Sequence, residues 1–252
     1  KIDGKTHIYN AKDLEVLKTE ATGTFVLEND IDMAGYTDGT NEYWTNTNAT
    51  AFAGVLNGQG YVIKNLKTTG LFTDLSGTVK NVGFMDASYV QGSNGIIATR
   101  IPTSANAVVS NVIITGVTIP QNVAYTGAIA NYLKDTAKIT LENVLIEMEN
   151  NVSFNGVAFG MAYYYPTSTH KITAKNCYFV SNDMTLLTAR SGAWWNSTTT
   201  DAGYWGDNYS NLLSADSVCH YIDIDTGLTE TDKQGFTADM KALYDYMNST
   251  EA

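Results

Sequence analysis

Phe52-Ala-Gly-Val-Leu-Asn-Gly-Gln-Gly-Tyr-Val-Ile-Lys-Asn-Leu66 opens the stretch that decides the fold; Gly70-Leu-Phe72, Gly77-Thr-Val-Lys-Asn-Val-Gly-Phe84 and Gly95-Ile-Ile-Ala98 complete it. Short apolar runs of β-forming residues alternate with glycine and asparagine turns. One tetrapeptide recurs: Ile63-Lys-Asn-Leu66, Val79-Lys-Asn-Val82, Val109-Ser-Asn-Val112, Leu141-Glu-Asn-Val144 and, degraded, Ala174-Lys-Asn-Cys177. The asparagines fall at 65, 81, 111, 143 and 176, so the later steps are 30, 32 and 33 residues. A period in that range, with short strands and no helical segment between them, predicts a solenoid of stacked β-coils. A second element interleaves with the first: Gly95-Ile-Ile-Ala98, Gly127-Ala-Ile-Ala130, Gly156-Val-Ala-Phe159 and, more loosely, Leu186-Leu-Thr-Ala189. Two unrelated motifs would not interleave. At a coil corner an asparagine amide can satisfy turn backbone and pair with its equivalent one coil away, about 4.8 Å along the axis. Five asparagines are therefore expected in register.

The flanks read differently. Apolar residues at Ile8, Ala11, Leu14 and Leu17, with Asn10 as N-cap, predict a short amphipathic helix over about 11–19. Phe25–Met33 reads as the first strand region, and 34–50 as a polar loop rich in Thr, Asn and Gly. The helix has a physical task, because the open end of a β-solenoid exposes apolar core and unpaired edges. Coils are expected from Phe52. Beyond about Ser191 the period is lost: Gly192–Trp205 is loop-like and aromatic, and Val218–Ile224 alternates as a strand. Phe236, Met240, Leu243, Tyr244 and Met247 share one helical face, with Thr237 as N-cap, which predicts a terminal helix over about 238–248 covering an end or flank. The expected organisation is one domain: 1–51 as N-terminal cap and first strand region, 52–190 as coils, and 191–252 as irregular loop, strand and helix packed on them.

The 252 residues are 44% hydrophobic and only 16% charged, with 21 glycines, 16 tyrosines and three prolines, a composition suited to an all-β protein. A formal charge of −11 argues against nucleic acid and anionic membranes, both of which require basic surface. No apolar run approaches a membrane span, and no signal peptide is read. Cys177 stands where Val82, Val112 and Val144 stand in other coils, so it reads as a small buried thiol, and with Cys219 it leaves the redox compartment open.

The helix at Ala11–Leu17, Leu27-Glu-Asn-Asp-Ile-Asp-Met33, the Phe52–Gly60 turn, Ile63-Lys-Asn-Leu66, Gly70-Leu-Phe72 and Val79-Lys-Asn-Val82 follow one another in an order that resembles a known family. It is similar to the β-helical domains of bacterial surface proteins that carry GLUG-type repeats, including those upstream of the catalytic part of streptococcal IgA peptidases. The likeness is good over 8–98, weaker to 190 and absent beyond; the Gly-Leu-x-Gly signature itself is missing, since Gly70-Leu-Phe72 lacks the closing glycine. The resemblance implies a right-handed parallel β-helix on an exported protein, extracellular or at the cell surface. It implies little about activity, because fold is a poor guide to function.

Catalytic patterns are sparse. His7, His170 and His220 are isolated, with no His-Glu-x-x-His, no Gly-x-Ser-x-Gly and no phosphate loop, so no catalytic residue, metal ligand or cofactor is assigned. Asn29-Asp-Ile-Asp32 and Asp223-Ile-Asp225 offer alternate carboxylates for calcium but lack a glycine-rich loop. A β-helical lyase or glycosidase needs a base or a carboxylate pair across a cleft. The candidate acids Asp86, Asp135, Glu147, Glu149 and Asp183 form no compact cluster, and Glu147 and Glu149 read as the outward face of one strand. Arg100, Tyr132, Tyr164 and Trp195 recur at steps of 32, 32 and 31 residues just after the second element. If the register holds they form a column on one face, joined by Trp194 and Trp205. Sugar rings stack on aromatic faces, so the column is a candidate oligosaccharide platform; ordinary packing of stacked aromatics is the competing account. The expected function is a non-catalytic extracellular domain for adhesion or binding of a glycan or host surface protein. A polysaccharide lyase or glycoside hydrolase, and a structural spacer, stand as alternatives.

Overall fold

The structure, a computed structural model, describes residues 3–90, 94–118, 126–134, 136–148, 171–181 and 217–249. Within them the chain is all-β, with parallel sheets and a few short helices. Strand β1 (Lys5–Ile8) leads into helix α1 (Ala11–Leu14) and a 3-10 turn (Glu15–Lys18), followed by β2 (Thr24–Leu27) and β3 (Ile31–Asp32). The next passes contribute β4 (Val55–Asn57), β5 (Val62–Lys64), β6 (Lys67–Thr68), β7 (Phe72–Asp74), β8 (Thr78–Met85) and β9 (Ser88–Tyr89). They continue with β10 (Asn94–Gly95), β11 (Ala98–Ile101), β12 (Asn106–Thr115), β13 (Thr126–Gly127), β14 (Ala130–Leu133) and β15 (Lys138–Met148). The last elements are β16 (Lys171–Lys175), β17 (Cys177–Ser181), β18 (Cys219–Asp223), α2 (Glu230–Lys233) and α3 (Ala238–Met247).

Every named strand pair is parallel. The main sheet runs β1-β2-β4-β8-β12-β15-β17-β18, and smaller sheets join β14-β11-β7, β10-β13 and β6-β9. Successive passes therefore return to the same sheets in the same direction. Their register carries the core: Phe25, Leu56, Val79, Val109, Leu141 and Ala174 stack in one column, and Val82, Val112, Val144 and Cys177 in another, all of them buried. The second element stacks as its sequence implies, with Gly95 opposite Gly127 and Ala98 opposite Ala130, and Phe72 of Gly70-Leu-Phe72 falls in the same register opposite Ala98. Its later copies, Gly156–Phe159 and Leu186–Ala189, lie outside the described residues.

The asparagines take the left-handed conformation that lets one residue turn a strand without breaking its ladder, at a cost that asparagine bears better than most side chains. Asn81, Asn111, Asn143 and Asn176 have φ between 50° and 54°. The amide of Asn111 donates to Asn81 Oδ1 at 3.1 Å, that of Asn81 to Asn57 Oδ1 at 3.0 Å, and that of Asn176 to Asn143 Oδ1 at 2.9 Å. The ladder is interrupted between Asn111 and Asn143, where Asn111 Oδ1 is buried without a partner. Asn65 does not belong to it. Val62–Lys64 pairs with Gly83–Met85, so Asn65 stacks one residue past Met85, at a second corner with Asp86 and Gly116. Gly58 stands opposite Asn81, and a Cβ there would lie 2.5 Å from the Asn81 carbonyl oxygen, so the 58–61 turn requires glycine.

The N-terminal flank departs in detail from the sequence reading, and the C-terminal flank follows it. Parallel stacking begins at Lys5–Ile8, ahead of the helix, rather than at Phe52. Asn10 caps α1 as expected, accepting from Lys12 N and Asp13 N, and Leu14 and Leu17 reach the core. At the other end α3 covers a flank. Beyond the asparagine corner the outward column Val62, Gly83, Ile113, Leu145, Tyr178 is apolar and lies under Met240, Leu243 and Met247. Gly83 makes room for Met247, whose sulfur would sit 2.6 Å from an added Cβ. Thr237 caps α3 through Met240 N, and Tyr246 ties the helix to the first passes by donating to Asp30 Oδ2 at 2.9 Å.

Candidate functional site

Of the residues expected in the aromatic column, Arg100 on β11 lies in register with Tyr132 of β14 on one side and with Asp74 of β7 on the other. The position preceding Arg100 is thus an acid, and it engages the guanidinium: Nε donates to Asp74 Oδ1 at 2.5 Å and Nη2 to Asp74 Oδ2 at 2.7 Å. A two-pronged bond of this kind fixes both side chains. Arg100 is accordingly braced by Asp74 rather than a mobile cation. Tyr164, Trp194, Trp195 and Trp205 lie outside the described residues, as do Asp135, Glu149 and Asp183. Of the other candidate acids Glu147 is partly buried on β15 and Asp86 is exposed at the second corner.

Three of the four calcium-candidate aspartates, Asp30, Asp32 and Asp223, have carboxylates engaged internally. Asp30 accepts from Val62 N at 2.9 Å and pairs with Lys64 at 3.4 Å. Asp32 accepts from Asn65 Nδ2 at 2.8 Å and from Ala34 N, and the first of these bonds is the main reason its carboxyl is held below the usual range. Asp223 Oδ1 accepts from Asp225 N. Among the described residues no group of three or more His, Cys, Asp or Glu side chains converges on one point, and no helix is long and apolar enough to cross a membrane. Cys177 and Cys219 face each other in register without a disulfide between them, and burial pushes the Cys177 thiol up to about 12, so at neutral pH it is a packing group rather than a nucleophile.

The second corner borders a cleft of about 510 Å³ that none of the sequence motifs marks. One wall comes from the 33–44 segment, through Met33, Tyr36, Glu42, Tyr43 and Trp44; the opposite wall comes from Asn65 and Lys67 in one pass and Asp86 and Ser88 in the next. The 33–44 segment is held at several points. Met33 N donates to Lys64 O at 2.9 Å and Trp44 N to Lys67 O at 2.8 Å, while the buried Trp44 indole donates to Leu71 O at 3.0 Å. Behind it, Lys18 Nζ donates to Tyr36 Oη at 2.9 Å and pairs with Asp38 at 2.6 Å, and lies 4.3 Å from the Trp44 ring centroid. Tyr36 in turn donates to Glu15 Oε1 at 3.0 Å. Burial, and the neighbouring Glu15 carboxylate, push the Tyr36 phenol upward, so it stays protonated and the wall stays braced. The signal available in sequence is three aromatics, Tyr36, Tyr43 and Trp44, inside a polar loop rich in Thr, Asn and Gly.

No protein-family model matches the chain, and no curated protein matches it. Among solved structures, a Bacteroides ovatus protein described as a putative immunoglobulin A1 protease aligns at 15% identity over 95% of this chain and 87% of that one, with a TM-score of 0.42. A likeness at that level carries no argument about fold or activity.

Proposed function

We propose that the chain is a right-handed parallel β-helix of the GLUG-repeat kind, carried on an exported bacterial protein, where it serves adhesion or glycan binding without catalysis. Its partners on this reading are a glycan or a host surface protein, and its place is extracellular or at the cell surface. The observation that carries the reading is the register of Asp74, Arg100 and Tyr132, because side chains at equal positions in successive parallel strands form a line at about 4.8 Å spacing. Continued through Tyr164 and Trp195 at the same sequence step, that line presents aromatic faces to a sugar chain. The formal charge of −11 agrees with a neutral partner rather than a polyanion. A glycan-array screen of the domain beside Tyr164→Ala and Trp195→Ala variants tests it. Binding lost in both variants with folding unchanged supports the aromatic face; silence across the array leaves a spacer or a protein-binding adhesin.

A second reading, a lyase or glycoside hydrolase on the same scaffold, draws on the carboxylates of Glu42 and Asp86 in one cleft. Release of reducing ends or unsaturated products from neutral polysaccharides, abolished in Glu42→Gln and Asp86→Asn, would move the protein into that class.

A further inference from the structure

We infer that the cleft between the 33–44 segment and the second corner is a binding subsite for a neutral or amino sugar, an assignment that rests on the glycan-binding reading above. Tyr36, Trp44 and Asn65 in its lining are engaged, but five other lining side chains are unspent. Glu42, Tyr43, Lys67, Asp86 and Ser88 make no side-chain hydrogen bond or ion pair to another described residue, although the polar groups just behind them, Glu15, Lys18, Tyr36 and Asp38, are fully engaged with one another. Wall groups are thus braced by one set of polar residues while a second set is left for solvent or ligand. Two tyrosine rings supply flat apolar surface, and carboxylate, ammonium and hydroxyl groups supply acceptors and donors for sugar hydroxyls, the mixture that a ligand cleft requires. A volume of about 510 Å³ accommodates a short oligosaccharide, and it sits within the range of small-molecule pockets. The charge balance sets the class: Glu42 and Asp86 outnumber Lys67, in a protein already at −11, so a uronate, sialate or sulfated sugar would be repelled. Asp86 is placed for this role by its left-handed backbone, φ 54°, at a turn whose equivalent one pass later is Gly116. The corner needs no carboxylate for its geometry.

The test is titration of the intact chain with a panel of neutral, amino and acidic oligosaccharides, followed by amide chemical shifts, for the wild type and for Tyr43→Ala, Glu42→Gln and Asp86→Asn. Expected is binding of a neutral or amino sugar with shifts concentrated at 33–44, 67 and 86–88, weakened tenfold or more by each variant. Binding that these variants keep while Trp195→Ala loses it would overturn the cleft assignment and leave the column reading intact. Preference for an acidic sugar would overturn the assigned class. No binding to any member would overturn the subsite and the glycan-binding reading together.

Discussion

In the passes through Asn81 and Asn111 the two corners share a left-handed backbone and have opposite uses. At the first, Asn81, Asn111, Asn143 and Asn176 turn the chain in the left-handed region and direct their amides along the axis to one another. At the second, Asn65, Asp86 and Gly116 turn it with the same φ sign, between 54° and 66°, yet their side chains are dissimilar and only Asn65 reaches back, to Asp32. The first corner is flanked by the apolar column under α3, and changing its residue removes both conformation and hydrogen bonds. The second faces a cleft, and its residue type varies from pass to pass. Identity at a corner therefore reports a side-chain ladder, whereas left-handed φ alone reports only a turn. Variation at a turn marks where the scaffold can carry function.

The largest effect is expected at the first corner. Asn81→Val forces a β-branched residue into the left-handed region, at about 1–2 kcal/mol, and removes an amide that both donates to Asn57 and accepts from Asn111, each bond worth about 1 kcal/mol. A total of about 3–4 kcal/mol should appear in denaturant unfolding. Asn81→Gly separates the two terms: it keeps the turn, loses the amide and should cost about 2 kcal/mol. Equal losses for the two variants would mean that strain contributes nothing. Next in size is Leu243→Ala. Leu243 is buried over the column beyond the corner, so truncation should cost about 3 kcal/mol. An unchanged midpoint would show that α3 is an ornament rather than a cover.

How much of this was readable follows from the same contrast. The ladder positions 81, 111, 143 and 176 were legible because residue type, spacing and neighbours repeat together. Asn65 was misplaced because Ile63-Lys-Asn-Leu66 has the same local pattern as the ladder tetrapeptides; only its 16-residue step to Asn81, half a pass, marks it as the other corner. The covering of the flank was half legible: the helix was readable from Thr237 and its apolar face, but its seat was not. The clue lay in Val112-Ile-Ile114, Val144-Leu-Ile146 and Cys177-Tyr-Phe-Val180, where apolar residues are consecutive rather than alternating, as in strands buried on both faces. Strand β1 was hidden because Ile8 also satisfies the helical spacing of Leu14 and Leu17. The cleft was not legible, since it is assembled from a loop and two passes whose contact depends on the number of residues in each turn. Of the aromatic column, sequence spacing and strand register agree for Arg100 and Tyr132, the pair that the described residues contain.

A smaller effect separates the brace behind the cleft from both corners. Lys18, foremost, and Thr45 hold the Asp38 carboxyl below its usual range, and Glu15 is lowered first by Lys12 and then by the Tyr36 hydroxyl. A carboxylate whose folded pKa is depressed stabilises the protein above its unfolded pKa, and that stabilisation is lost as pH falls through the folded value. Stability should therefore be flat at neutral pH and decline below about pH 4. Asp38→Asn should cost about 1 kcal/mol at pH 7 and flatten the acid limb. Unfolding midpoints at pH 7 and pH 3 decide it, and a variant that keeps the full acid limb would show that other carboxylates set it.

The smallest effect is the most discriminating. Asp86 has φ 54°, is exposed, and stands in register with Gly116, where the next pass already uses glycine. Asp86→Gly relieves the left-handed cost at this residue and adds backbone freedom to the unfolded chain, two terms of opposite sign and similar size. Unfolding free energy should then shift by no more than about 0.5 kcal/mol, against about 2 for Asn81→Gly. The same substitution at two corners of one backbone would differ only in what the lost side chain was doing. If Asp86→Gly proved as costly as Asn81→Gly, the Asp86 carboxylate would be part of the scaffold, and the second corner would lose its claim to be free for a ligand.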